Sequence, residues 1–179
     1  VSTMEKFNIL AKNPGKIPEL AYVNLICTDK TGTLTTGVMT PKTMVNGLCE
    51  NIMNSKSVLN DLIMNNICLN NSAEFDSDGN ITGGNSIDRA VLGMYSSTDT
   101  SGVKNRFTVK AKQPFSSENK YSAIMVDNGE NVVTFYKGAP EKLIDGCTHF
   151  VHSDGYIDEF GETKKDALRS VSYTHLRAH

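Results

Sequence analysis

Asp29 stands in the run Asp29-Lys30-Thr31-Gly32-Thr33-Leu34-Thr35, directly after the short apolar, β-branched stretch Val23–Thr28. A carboxylate at the C-terminal end of a covered strand lies where α/β sheets hold their ligands. Small residues after it let backbone N–H groups approach an anion. Lys30 and the hydroxyls of Thr31 and Thr33 add positive charge and donors. This set suits phosphoryl transfer, in which negative charge spreads over the transferred oxygens and is met by donors and Mg²⁺. An aspartate is ionised at neutral pH and attacks without a separate base. The acyl phosphate so formed splits one difficult hydrolysis into two easier steps. Asp29 is the candidate nucleophile.

The elements that must position such residues follow from the spacing of apolar and turn-forming positions. Val23–Thr28 has strand length and the composition of a covered parallel strand. Residues 1–20 contain Pro14, Gly15 and Pro18 and are expected to be a connector rather than a helix. Val38–Val45 is expected to be extended. Val58, Leu59, Leu62, Ile63, Ile67 and Leu69 recur at helical spacing, and Ser86–Tyr95 places Ile87, Ala90, Val91 and Met94 on one helical face. Between them, Asp76–Gly84 is rich in turn formers. It begins like a calcium loop but has Gly79 too early and no closing Glu, so it is expected to be a loop or hairpin tip.

The second half is β-rich. Phe107–Lys112, Tyr121–Val126 and Val132–Lys137 are strand-like, and Asn128-Gly129 between the last two predicts a hairpin. Pro140 suits the first turn of a short helix reaching about Asp145. Asp154-Gly155 turns again, and Glu162–Ser170 is expected to be one more helix. The tail, residues 171–179, continues no pattern and is expected to be a truncated helix or foreign sequence.

Composition narrows the class. The chain has 179 residues with 39% hydrophobic and 21% charged content, which describes a folded chain rather than a disordered one. A formal net charge of -2 gives no reason to expect nucleic acid as a partner. The apolar runs are too short to cross a bilayer. Cys27, Cys49, Cys68 and Cys147 are widely spaced without a CxxC pair and Cys27 lies in an apolar run, so buried, reduced thiols are expected. Cys147, His149 and His152 lack a second ligand pair and are not expected to bind metal.

The run from Ile26 to Thr35 resembles the phosphorylation-site signature of P-type ATPases, in the haloacid-dehalogenase superfamily. About a hundred residues downstream, Lys137-Gly138-Ala139-Pro140-Glu141 resembles the nucleotide-domain motif of that family. Pro114-Phe115-Ser116-Ser117-Glu118-Asn119-Lys120 is similar to its adenine-stacking segment. The resemblance implies that Asp29 accepts the γ-phosphate of ATP, with Lys30, Thr31 and Thr33 around it, and that Asp29 and Thr31 form half of a Mg²⁺ site. It implies Phe115 as the stacking residue, Lys120 as a phosphate contact and Lys137 in the adenine pocket, with Gly138 keeping the wall beside it free of bulk. An aromatic face with cations suits a flat base on a polyanionic tail. Gly84–Ala90 is similar, more loosely, to the segment that places an acid near the adenine amino group, which assigns that role to Asp88; an exposed acid in a first helical turn is the plainer alternative.

The resemblance further implies an α/β architecture. Residues 1–37 would be a connector and the start of an incomplete Rossmann-like phosphorylation domain. Residues 38–170 would be a nucleotide-binding domain of antiparallel sheet flanked by helices. No Thr-Gly-Glu loop, Gly-Asp-Gly-x-Asn-Asp segment or membrane helix is visible, so the actuator and transmembrane domains and the transported cation would belong to the rest of a pump on the cytoplasmic face of a membrane. The Lys-Gly-Ala-Pro-Glu motif favours the branch of calcium, sodium–potassium and proton pumps. Asn13–Leu20 and Ile26–Asp29 look like bacterial calcium transporters. Two alternatives stay open: a soluble phosphatase of the same superfamily, against which Thr31 stands where a second Asp is usual, and an isolated nucleotide-binding module.

Overall fold

The computed structural model describes residues 4, 6–30, 32–53 and 57–177, with 172–177 described by their backbone alone. Two compact units emerge, Val1–Val38 and Met39–His179.

In the first unit a 3-10 helix spans Pro14–Tyr22, although a connector without helix was expected there. Pro14 opens it, where a missing N–H costs nothing, and the fixed φ of Pro18 is compatible with a 3-10 turn. The expected strand over Val23–Thr28 is not formed: these residues have no regular hydrogen bonding, and Leu25 and Ile26 are 76% and 80% exposed. A parallel strand exists only when neighbours supply N–H and C=O partners and cover its faces. Among the described residues no strand does so, and Val23–Thr28 therefore stays without regular structure in this unit.

The second unit is mixed α/β, with antiparallel sheets flanked by helices. Helix α1 (Val58–Leu69) is capped by Ser57, whose side chain accepts from the Asn60 N–H. A small hairpin follows, β1 (Ala73–Phe75) paired with β2 (Ile81–Gly83), closed by the turn-rich loop as expected. Helix α2 (Ser86–Leu92) begins at Asn85, whose side chain accepts from the Asp88 N–H. Helix α3 (Ser97–Arg106) was not foreseen because it buries only Thr100 and Val103. It is held instead by a reciprocal capping box between Ser96 and Asp99.

Strands β3 (Thr108–Gln113), β4 (Tyr121–Asp127) and β5 (Val132–Gly138) form the main sheet in that order, all antiparallel. The β4–β5 hairpin turns at Asn128-Gly129, as its sequence predicts: Gly129 has φ +89° and the Asn128 carbonyl oxygen of the side chain accepts from Glu130 and Asn131. Helix α1 and the sheet close a core of Cys68, Leu69, Val103, Ile124 and Val126, with Phe107 edge-on to Phe135. Buried Asn70 ties the helix end to the sheet by donating to the carbonyls of Ser122 and Phe135.

The short helix α4 (Pro140–Leu143) leads through a 3-10 turn to a third hairpin, β6 (His149–Val151) with β7 (Ile157–Glu159), turning at Asp154-Gly155. Helix α5 runs from Glu162 to Arg177, well past the expected end at Ser170. Ile144, Phe150 and Phe160 form a second core cluster against Leu48 and Leu168.

Candidate nucleotide site

A cavity of about 750 Å³ opens in the second unit, walled by the β2–α2 corner on one side and by β3, β4 and β5 on the other. Four of the residues singled out in the sequence line it: Asp88, Phe115, Lys137 and Gly138. They come from segments up to fifty residues apart, and the antiparallel sheet is what brings them together.

Phe115 is 58% exposed, which excludes the ordinary role of a core aromatic. It follows Pro114 in the loop after β3 and lines the cavity. Lys137 sits on β5 opposite Ser122 of β4, and its Nζ donates to Asp88 Oδ1 at 2.6 Å. Asp88 is only 7% exposed, so it is not a solvated acid of a first helical turn. Its Oδ2 accepts from the backbone N–H of Ser72 at 3.3 Å and, at short range, from the Ser72 hydroxyl. Burial pushes the Asp88 carboxyl up, but the hydrogen bonds from Lys137 and Ser72 outweigh it and hold the carboxyl below its ordinary value.

A carboxyl whose folded pKa is depressed stabilises the fold at pH above the unfolded value and loses that contribution as pH falls through the folded one. Stability is therefore expected to drop as pH falls below about 4, and to drop less in Asp88→Asn. Urea midpoints of both proteins at near-neutral and acid pH check this, and equal slopes would remove Asp88 as a contributor.

Gly138 is required for a different reason from the one its position suggested. A Cβ there would lie 2.4 Å from Tyr121 Cβ and 2.5 Å from the Lys120 carbonyl oxygen. The glycine lets β5 close against the start of β4; it does not merely clear a wall. Lys120 itself does not line the cavity. It holds φ +59° at the corner before β4, and its Nζ stands 3.5 Å from Glu141 Oε1. Sequence reasoning missed Asn71, Ser72, Asn85 and Lys112, which also line the cavity. Asn71 donates from its side chain to the Asp88 carbonyl and accepts Lys112 Nζ at its own carbonyl at 3.1 Å. Nothing in a run of Asn and Ser residues marked this role.

In the first unit Asp29 is exposed, and its Oδ1 accepts the Lys30 N–H at 2.7 Å. A tight turn follows, with the N–H groups of Leu34 and Thr35 donating to the Lys30 carbonyl and Gly32 at φ +78°. Lys30 and Thr33 are exposed beside it, while Thr31 lies outside the described residues. The side chains present do not complete a Mg²⁺ site: Asp29 offers one carboxylate, and among the described residues no group of three His, Cys, Asp or Glu side chains could hold a metal.

Residues 58–174 match the family model of the P-type ATPase cytoplasmic domain N, a match that reaches into the tail. The chain is 28% identical to calcium-transporting ATPase 1 of Bacillus cereus, over 99% of this chain and 21% of the relative. It is 28% identical to calcium-transporting ATPase PAT1 of Dictyostelium discoideum, over 96% of this chain and 17% of the relative. With the human calcium-transporting ATPase type 2C member 2 it shares 27% identity, over 84% of this chain and 18% of that protein. The chain thus spans about a fifth of the length of these relatives. Among the described residues no helix is long and apolar enough to cross a membrane. A sheet, cavity and capped helices within residues 58–174 meet a family match over the same span, and the chain belongs to the P-type ATPases.

Proposed function

We propose that this chain binds ATP as part of a cation-transporting pump, and that it carries the aspartate phosphorylated during transport. The observation that carries the proposal is Phe115, a phenyl ring 58% exposed on the wall of a cavity that also presents Lys137 and Asp88. An exposed aromatic face is poorly placed for stability and well placed to stack a nucleobase.

In this proposal the base lies on Phe115, with Lys137 and Asp88 at its edge. Lys120, outside the cavity at the corner before β4, meets the phosphates, and Gly138 keeps the two strands close enough to form the floor. Asp29 is the acceptor of the γ-phosphate, with Lys30, Thr31 and Thr33 around it, and Asp29 and Thr31 are half of the ligand set for the Mg²⁺ that accompanies ATP. Residues 1–37 begin the phosphorylation domain and 38–170 form the nucleotide-binding one. The cation is Ca²⁺, after which the relatives are named, and its ligands belong to the remainder of the pump. The site works on the cytoplasmic face of the membrane, with the actuator and transmembrane domains as partners within the same polypeptide.

Two measurements test this. Calorimetric titration of the 179-residue chain is expected to show ATP binding without sustained turnover. Sustained hydrolysis that Asp29→Asn abolishes would overturn the assignment of the remaining catalytic groups to the rest of the pump. In the parent protein, labelled γ-phosphate is expected at Asp29 in an ion-dependent manner, and label retained after Asp29→Asn would remove it as the acceptor.

A further inference from the structure

We propose that Lys112 reads the edge of the bound purine, supplying a hydrogen-bond donor that lets this pocket take 6-oxopurine nucleotides (inosine or guanosine triphosphate) as well as ATP. The proposal rests on the nucleotide assignment of the cavity.

Three observations carry it. The first is placement. Strand β3 pairs Val109 with Val126 but Ala111 with Met125, so Lys110 is an extra residue in a bulge. An uninterrupted register would put Lys112 opposite Ala123 on the far face of the sheet. The bulge moves it opposite Ile124, on the face that carries the cavity. A bulge that re-aims a side chain in this way is a recurrent device beside ligand sites.

The second is position along the sheet. Lys120 precedes β4, Ser122 faces Lys137, and Ile124 faces Lys112, so Lys112 lies two cross-strand rows in from the corner assigned to the phosphates. The carbonyl of Asn71 holds Lys112 Nζ, and the side chain of the same Asn71 holds the Asp88 carbonyl. Lys112 is thereby tied to the base end of the cavity.

The third is the balance of donors and acceptors. Lys137 is neutralised by Asp88, and Glu74, the other acid on the cavity wall, stands 3.7 Å from Lys104. Among the described residues no carboxylate lies within ion-pair distance of Lys112, whose ammonium keeps two protons beyond the one given to Asn71. Both Asp88 oxygens are already engaged, by Lys137 and by Ser72. The edge facing the base is thus richer in donors than in free acceptors. A carbonyl at purine C6 accepts from such an edge, whereas the 6-amino group of adenine competes for the occupied Asp88.

Titration of the 179-residue chain with ATP and ITP, and with adenosine and inosine, tests the assignment in wild type, Lys112→Met and Phe115→Ala. Wild type is expected to bind ITP measurably, and Lys112→Met to weaken ITP by about tenfold and ATP by clearly less. The same shift in ratio is expected for the nucleosides. An ITP-to-ATP ratio unchanged by Lys112→Met overturns the proposal, and so does a shift that disappears with the nucleosides, which would put Lys112 on the phosphates. Lys112 is exposed on an edge strand, so its replacement leaves the core intact, and matched thermal melts check that the fold is kept. If Phe115→Ala leaves every affinity unchanged, the nucleotide assignment itself falls. If Phe115→Ala weakens binding while the ratio survives Lys112→Met, only the role of Lys112 falls.

Discussion

Replacing Phe115 by alanine is expected to weaken ATP binding by roughly five- to a hundred-fold, the range set by losing one base–aromatic stack. The fold should tolerate the change. Phe115 belongs to neither core cluster and follows the end of β3 in a loop, so its removal leaves no buried void. The effect should be nearly the same for adenosine and ATP, because the lost contact is to the base. Isothermal titration against both ligands reads this directly, and an unchanged affinity for adenosine would remove Phe115 from the base site. A change in ATP affinity with no change for adenosine would instead point to the phosphates.

Gly138→Val is expected to cost about 3 kcal/mol of stability, as overpacking into closed space does, and to weaken ATP binding with it. A Cβ at residue 138 falls 2.4 Å from Tyr121 Cβ and 2.6 Å from Tyr121 Cα. Those atoms are on or near the neighbouring backbone, so no side-chain rotation relieves the clash. The strands must part at the corner where the Ala139 N–H donates to the Lys120 carbonyl at 2.9 Å and the Lys120 N–H donates to the Ser116 carbonyl at 2.8 Å. These two bonds hold Lys120 in a left-handed conformation that a lysine otherwise avoids. Prying the corner open therefore disturbs the whole loop from Phe115 to Lys120. Urea unfolding and ATP titration on one preparation check both effects, and a native midpoint with native affinity would show that the corner gives way without cost.

Much of this protein was legible because local patterns and their tertiary use agree. The helical spacing from Val58 to Leu69, the Asn128-Gly129 turn and the Pro140 helix start each specify their element through nearest neighbours. Helix α3 was invisible to periodicity, since only Thr100 and Val103 of it are buried, yet Ser96 and Asp99 at capping-box spacing were there to announce it. The strand expected at Val23–Thr28 shows the opposite case. Its composition is right, but a strand is a property of a sheet, and among the described residues no partner strand pairs with it.

The sequence by itself determined the candidate residue types: an aromatic, two lysines and a glycine in two short motifs of the second unit and, separately, an aspartate before a Thr-Gly turn in the first. Tertiary structure decided what those groups face. It buried Asp88 against Lys137 and Ser72, left Phe115 open, put Lys120 outside the cavity, and through one bulged residue turned Lys112 into it. The physical reason is that a side chain's face depends on strand register and on what packs across the sheet, and neither is encoded within a few residues of the side chain concerned.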